Sequence, residues 1–152
     1  MSPRQTQRFV AMTMWSLVGA FVVVGLLFLT TPDGVLHRLA QLGDQLGSFS
    51  HPPHSQEKLW LGLAVAYMTV ITGIAIVVAR DVVRYRPLLL VLAAGKAVSS
   101  LTCLGYFLNE NVFAYLANFV VDGSLVALTL ACWVLVGRTL QATPRADAAA
   151  PG

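Results

Sequence analysis

A lysine and an aspartate are the residues in this chain best placed to do chemistry. Lys96 and Asp122 each fall near the middle of a long apolar run, the first about nine residues past Pro87 and the second about ten past Val112. A lone charge in hydrocarbon is expensive, and ionisable residues there usually face a partner or a polar cavity. The two runs are joined by a short connection at Asn109-Glu110-Asn111, so they should fold back as an antiparallel hairpin. Counted from Glu110, Lys96 is fourteen residues away and Asp122 twelve. At the helical rise per residue their depths differ by only about 3 Å. The two side chains are therefore expected to meet.

The neighbours strengthen the pairing. Lys96, Ser99, Ser100 and Cys103 follow the i, i+3, i+4, i+7 spacing of one helix face, and Tyr115, Asn118 and Asp122 follow i, i+3, i+7. Tyr67, Thr69 and Thr72 on an earlier run are candidates to extend this polar interior, although they do not all share one face. Such a cluster supports two chemistries, unless one of the two charged residues faces a partner protein instead. One is an ion pair that pins helix register. The other is a charged site for an ion, a proton path or a ligand head group.

Other candidate sites are poorer. The histidines His37, His51 and His54 all fall in the segment between the first two apolar runs, which argues against a haem held between facing helices. His51-Pro52-Pro53-His54, even with His37 or Glu57 nearby, offers fewer organised ligands than a metal site needs and reads as a stiff solvated turn. Cys103 and Cys132 form no C-x-x-C, and the same depth count separates them by about 22 Å, too far for a disulfide. No Gly-x-Ser-x-Gly elbow, P-loop, His-Glu-x-x-His or magnesium-holding carboxylate cluster is visible. No catalytic residue, metal or cofactor is expected, and enzymatic activity has no motif behind it.

The elements that must position the pair follow from composition. Hydrophobic residues make up 57% of the chain and charged residues 11%, against about 25% charged in a soluble domain. The mean hydropathy is +0.71. Four runs reach the roughly 20 residues needed to cross a bilayer: about Phe9 to Leu29, Leu59 to Val78, Pro87 to Leu108, and Val112 to Val136. The first is longer than a signal-peptide core, lacks a convincing cleavage site, and is read as a retained span. The expected fold is an all-α membrane protein, a single four-transmembrane-helix bundle over residues 1–141 with an unstructured tail over 142–152.

Arg4, Arg8, Arg80, Arg84, Arg86, Arg138 and Arg145 fall on one side of such a bundle, and only Arg38 and Lys58 on the other. The positive-inside tendency then places both termini in the cytoplasm. The net charge of +3 serves orientation, since no basic stripe or aromatic platform marks a nucleic-acid partner. The excess of arginine over lysine, with abundant alanine, valine and glycine, suits a GC-rich bacterial genome and hence a bacterial inner membrane. Within the segment from Thr30 to Lys58, Val35, Leu39, Leu42 and Leu46 recur at helical spacing, which predicts a short external amphipathic helix on the membrane surface or against a partner.

In helix number and length alone the chain is similar to the DoxX-like proteins, but no motif of that family maps onto residues here. Small multidrug-resistance transporters carry a carboxylate in their first helix, whereas none lies between Arg8 and Thr31. The leading expectation is a non-enzymatic accessory or scaffold subunit of a larger membrane complex, associating with the lipid bilayer and with other membrane subunits or itself. The alternative is a small transporter or a ligand- or proton-binding bundle built on Lys96, Ser99, Ser100, Tyr115, Asn118 and Asp122. An enzyme acting on a lipid or quinone would use the same cluster.

Overall fold

The computed structural model describes residues 2–51 and 58–142. They form five helices: α1 Pro3–Thr30, α2 Pro32–Leu46, α3 Lys58–Arg80, α4 Pro87–Glu110 and α5 Phe113–Ala142. Of the tail expected from residue 142 onward, Ala142 closes α5, and the remainder lies outside the described residues, as do His54 and Glu57. Four helices are long and apolar enough to cross a membrane: Pro3–Thr30, Leu59–Arg80, Pro87–Glu110 and Phe113–Gln141. Their outward faces carry exposed Val23, Leu29, Leu63, Val98, Leu101 and Val121. So much exposed apolar surface is what an integral membrane bundle presents to lipid.

The helix ends follow local chemistry. Ser2 caps α1 through its hydroxyl, which accepts from the Gln5 N–H at 3.3 Å, while Gln5 Oε1 accepts from the Ser2 N–H at 2.9 Å. This reciprocal box starts α1 well before the apolar run. Pro32 drives the preceding residue out of helical geometry, and Thr31 sits at φ −142°, ψ 57° between α1 and α2. Asn111 ends α4 in the left-handed region at φ 51°, ψ 39°, a conformation asparagine tolerates better than most side chains.

The long helices pack as two close pairs, α1 with α3 and α4 with α5, joined by sparser contacts. Small residues allow the close approach within each pair. A Cβ on Gly25 would lie 3.3 Å from Met68 Cβ across α1 and α3, and one on Gly123 would lie 3.4 Å from Ser100 Oγ across α4 and α5. Buried positions alternate three and four residues apart: Val10, Met14, Leu17 and Phe21 on α1, and Met68, Ile71, Ala75, Val78 and Val82 on the α3 side. That spacing keeps one seam of each helix facing its neighbours.

The two ends of the bundle are tied differently. At the α3–α4 turn, Arg86 Nε donates to the Trp133 carbonyl at 3.0 Å, and its guanidinium lies 4.2 Å from the Trp133 ring centre. At the opposite end, the segment after α2 is strapped to the α4–α5 turn. The Ser50 N–H donates to the Asn111 carbonyl at 3.0 Å, and Asn111 Nδ2 donates to the Ser48 carbonyl at 3.2 Å. The Phe49 ring lies 5.2 Å from that of Phe113 and 6.4 Å from that of Phe107.

Helix α2 forms where the periodicity predicts a helix, and it also touches the bundle. Gly43 is its buried residue and lies against Phe113, while Val35, Leu36, Leu39 and Ala40 are half-buried. Leu42 and Leu46, at the C-terminal end of the predicted stripe, are 50% and 72% exposed. The glycine lets the α2 backbone approach α5, and this rotates the two leucines to the flank.

Candidate functional site

The hairpin of α4 and α5 brings Lys96 and Asp122 together. Lys96 Nζ donates to Asp122 Oδ1 at 2.9 Å, with the two side chains 6% and 5% exposed. It is the only salt bridge among the described residues. The other helices supply rings rather than counter-charges. Nζ lies 5.2 Å from the Phe21 ring centre on α1 and 5.5 Å from the Tyr67 ring centre on α3. Aromatic faces attract a cation at such distances, so all four long helices meet around the ammonium.

Asn118 extends the cluster along α5. Its Nδ2 lies 3.1 Å from Cys103 Sγ, 3.4 Å from Ser99 Oγ and 3.4 Å from Asp122 Oδ2. An amide nitrogen has two hydrogens, so three acceptors share them, and the contact to Asp122 is long. Ser100 does a different job. Its hydroxyl donates to the Phe119 carbonyl at 2.9 Å and ties α4 to α5.

These groups border a cavity of about 350 Å³ between the two helix pairs. Its polar wall is Tyr67, Lys96, Ser99, Asn118 and Asp122; its apolar wall includes Leu17, Phe21, Val24, Phe28, Met68 and Leu125. The volume lies within the range of small-molecule pockets, which runs from about 300 to 1,000 Å³. Tyr67 Oη is buried and has no hydrogen-bond partner, alone in this among the buried side-chain N and O atoms of the described residues. A buried hydroxyl left unpaired costs about 1–3 kcal/mol. Lys96 likewise spends one of its three donors on Asp122.

Of the residues singled out by sequence, Tyr67, Lys96, Ser99, Asn118 and Asp122 share this wall, and Cys103 reaches it through Asn118. Ser100 stands behind it. Tyr115 turns away: its ring packs on Tyr106 with centres 5.6 Å apart, and it does not line the cavity. Thr69 and Thr72 also leave the cluster, each donating to a carbonyl one turn back on α3, Val65 at 2.9 Å and Met68 at 2.6 Å. Cys103 and Cys132 are free thiols. His37 contacts Gln41 on α2 at 3.1 Å, and His51 is exposed. Among the described residues, no three His, Cys, Asp or Glu side chains gather as metal ligands.

Sequence reasoning missed the α1 wall. Leu17, Phe21, Val24 and Phe28 recur at i, i+4, i+7 and i+11, but an apolar face within an apolar run carries no chemical mark. Comparison with protein families, curated proteins and solved structures finds no match for this chain.

Proposed function

We propose that this protein is a small, non-enzymatic membrane bundle that binds a ligand in the cavity between its helix pairs, as a carrier or small transporter does. One observation carries this reading: a ligand-sized cavity whose wall holds a buried ion pair and a buried, unpartnered hydroxyl. A bundle needing only an internal ion pair for register would gain packing by closing around it. Transporters place substrate sites near the midplane, among polar groups such as these.

The test uses protein purified gently from its native membrane and analysed by native mass spectrometry. Wild type should carry a bound small molecule. Ala64→Phe, which fills the cavity from α3 without touching the ion pair, should lose it while keeping helical content and monodispersity. Absence of any bound mass in wild type, or its retention by a folded Ala64→Phe variant, would refute the reading.

The uncovered flank of α2 favours a second role. Leu42 and Leu46 are exposed beside a helix otherwise held to the bundle, which suits a scaffold that docks a neighbouring subunit. Leu42→Ser with Leu46→Ser should shift migration in a native gel of solubilised membranes; unchanged migration would remove this role. Orientation belongs to the same proposal. Arg4, Arg8 and Arg80 border one groove, and Arg86 sits beside Gly137 next to Arg138, so the arginines cluster at one end of the bundle. That clustering supports cytoplasmic termini in a bacterial inner membrane, with α2 on the outer side. Reporter fusions at the C-terminus and within α2 test it, and a C-terminal fusion active only in the periplasm would reverse it.

A further inference from the structure

The cavity wall constrains its occupant in three independent ways. The first is charge. Among the described residues, Lys96 and Asp122 are the only charged ones lining it, and they neutralise each other. A net charge brought into an apolar bundle needs a counter-charge, and here each is already taken. The second is hydrogen bonding. The wall offers unspent donors on Lys96 and Tyr67, and beside them acceptor capacity on Asp122 Oδ2, whose one contact is 3.4 Å long. A matching group both accepts and donates, as a hydroxyl does.

The third is access and size. The exposed lining residues are Ala20, Val24 and Val121, all apolar and all on α1 or α5, where contact between the two helix pairs is sparse. The opening therefore faces the lipid side of the bundle. At about 350 Å³ the cavity lies at the small end of the range of small-molecule pockets, about 300 to 1,000 Å³, which suits a head group and part of a chain rather than a whole lipid.

We propose, building on the reading that the cavity is a ligand site, that it takes a neutral, bilayer-dissolved amphiphile. A hydroxyl-bearing head sits against Lys96, Tyr67 and Asp122. The apolar chain lies along Leu17, Phe21 and Val24 and leaves between α1 and α5. The ion pair orients the head through its dipole, and no proton or covalent bond is exchanged.

The test measures thermal stabilisation and native mass spectra of the full chain in a detergent free of acylglycerols, against four probes. Monoolein combines a neutral hydroxyl head with a chain, glycerol is a comparable head without the chain, oleate replaces the head with an anion, and methyl oleate only accepts. Monoolein should bind at least tenfold more tightly than the other three. Tyr67→Phe should weaken it about tenfold while leaving the unliganded protein as stable as wild type or more so, because the hydroxyl lost had no partner. Val121→Trp, which narrows the α1–α5 opening from the lipid side, should slow monoolein binding without altering helical content. Equal binding of oleate would overturn the charge argument, equal binding of glycerol the bilayer route, and equal binding of methyl oleate the donor requirement. If wild type carries a native small molecule that Ala64→Phe loses, yet no probe binds, the ligand class falls while the site stands. If neither occurs, the site itself falls.

Discussion

The two halves of the bundle use the same helices and the same seam spacing, yet they finish differently. Toward the α3–α4 turn the seam is closed: Val10, Met14, Val78, Leu89, Cys132 and Val136 are fully buried. Toward the α4–α5 turn, the corresponding seam positions are Phe21, Tyr67, Lys96, Asn118 and Asp122, and a cavity opens. Within each helix pair the backbones approach closely at particular points, at Gly25 on one side and at Ser100 and Gly123 on the other, and α1 and α3 also flank an open apolar groove beside Gly25 and Gly73. The polar cavity, by contrast, lies between the pairs. Where aliphatic side chains face one another, the pairs interlock. Where an ion pair and an amide must be satisfied, the geometry follows their hydrogen bonds, and space is left that apolar side chains would have filled.

Breaking the polar half should produce the largest effect. Lys96→Ala or Asp122→Ala strands one buried charge and should each cost about 3–5 kcal/mol, read as lost thermal stability in detergent. The two halves can then be set against each other with equivalent truncations. Met14→Ala in the closed half should cost about 2–5 kcal/mol, since it opens a new void. Leu17→Ala, one turn along the same face, truncates a side chain that already borders open space and so loses fewer packing contacts, and should cost about 1 kcal/mol less. Equal costs would mean that the halves are packed alike. A smaller effect is expected at the strapped end. A Cβ on Gly43 would lie 2.7 Å from Phe113 Cβ, so Gly43→Ala should cost about 1–3 kcal/mol by overpacking. Hydrogen exchange should rise in α2 and not around Lys96. Faster exchange around Lys96 as well would show that α2 supports the cavity.

The meeting of Lys96 and Asp122 was legible before any coordinates, because a short connection and a fixed rise per residue leave little freedom in relative depth. Ser99 and Asn118 came with it, from i+3 and i−4 spacing. Tyr115 did not, although its spacing fits, because its ring packs on Tyr106 near the end of the hairpin. Helix ends were less legible than helix cores. The Ser2–Gln5 box lies outside the apolar run that marks α1, and α5 runs on to Ala142, past the last strongly apolar stretch. On α2 the apolar spacing predicts the helix, but nothing in it marks the contact with the bundle, because hydropathy gives no weight to Gly43, whose missing side chain is what permits that contact. The cavity itself had no sequence signal. It is bounded largely by ordinary apolar residues, and only their three-dimensional spacing distinguishes it from core.

The Lys96–Asp122 pair is proposed to serve a ligand site as well as the fold, and one variant separates the two roles. In Lys96→Met with Asp122→Leu, both charges are replaced by apolar groups of similar size, which should recover most of the stability lost in either alanine variant. Stability and bound mass should be measured on the same preparation from native membranes. The double variant should be folded and thermally stable and carry no bound small molecule. A stable double variant that still carries the wild-type ligand would contradict the ligand role and leave the pair a purely structural contact between α4 and α5.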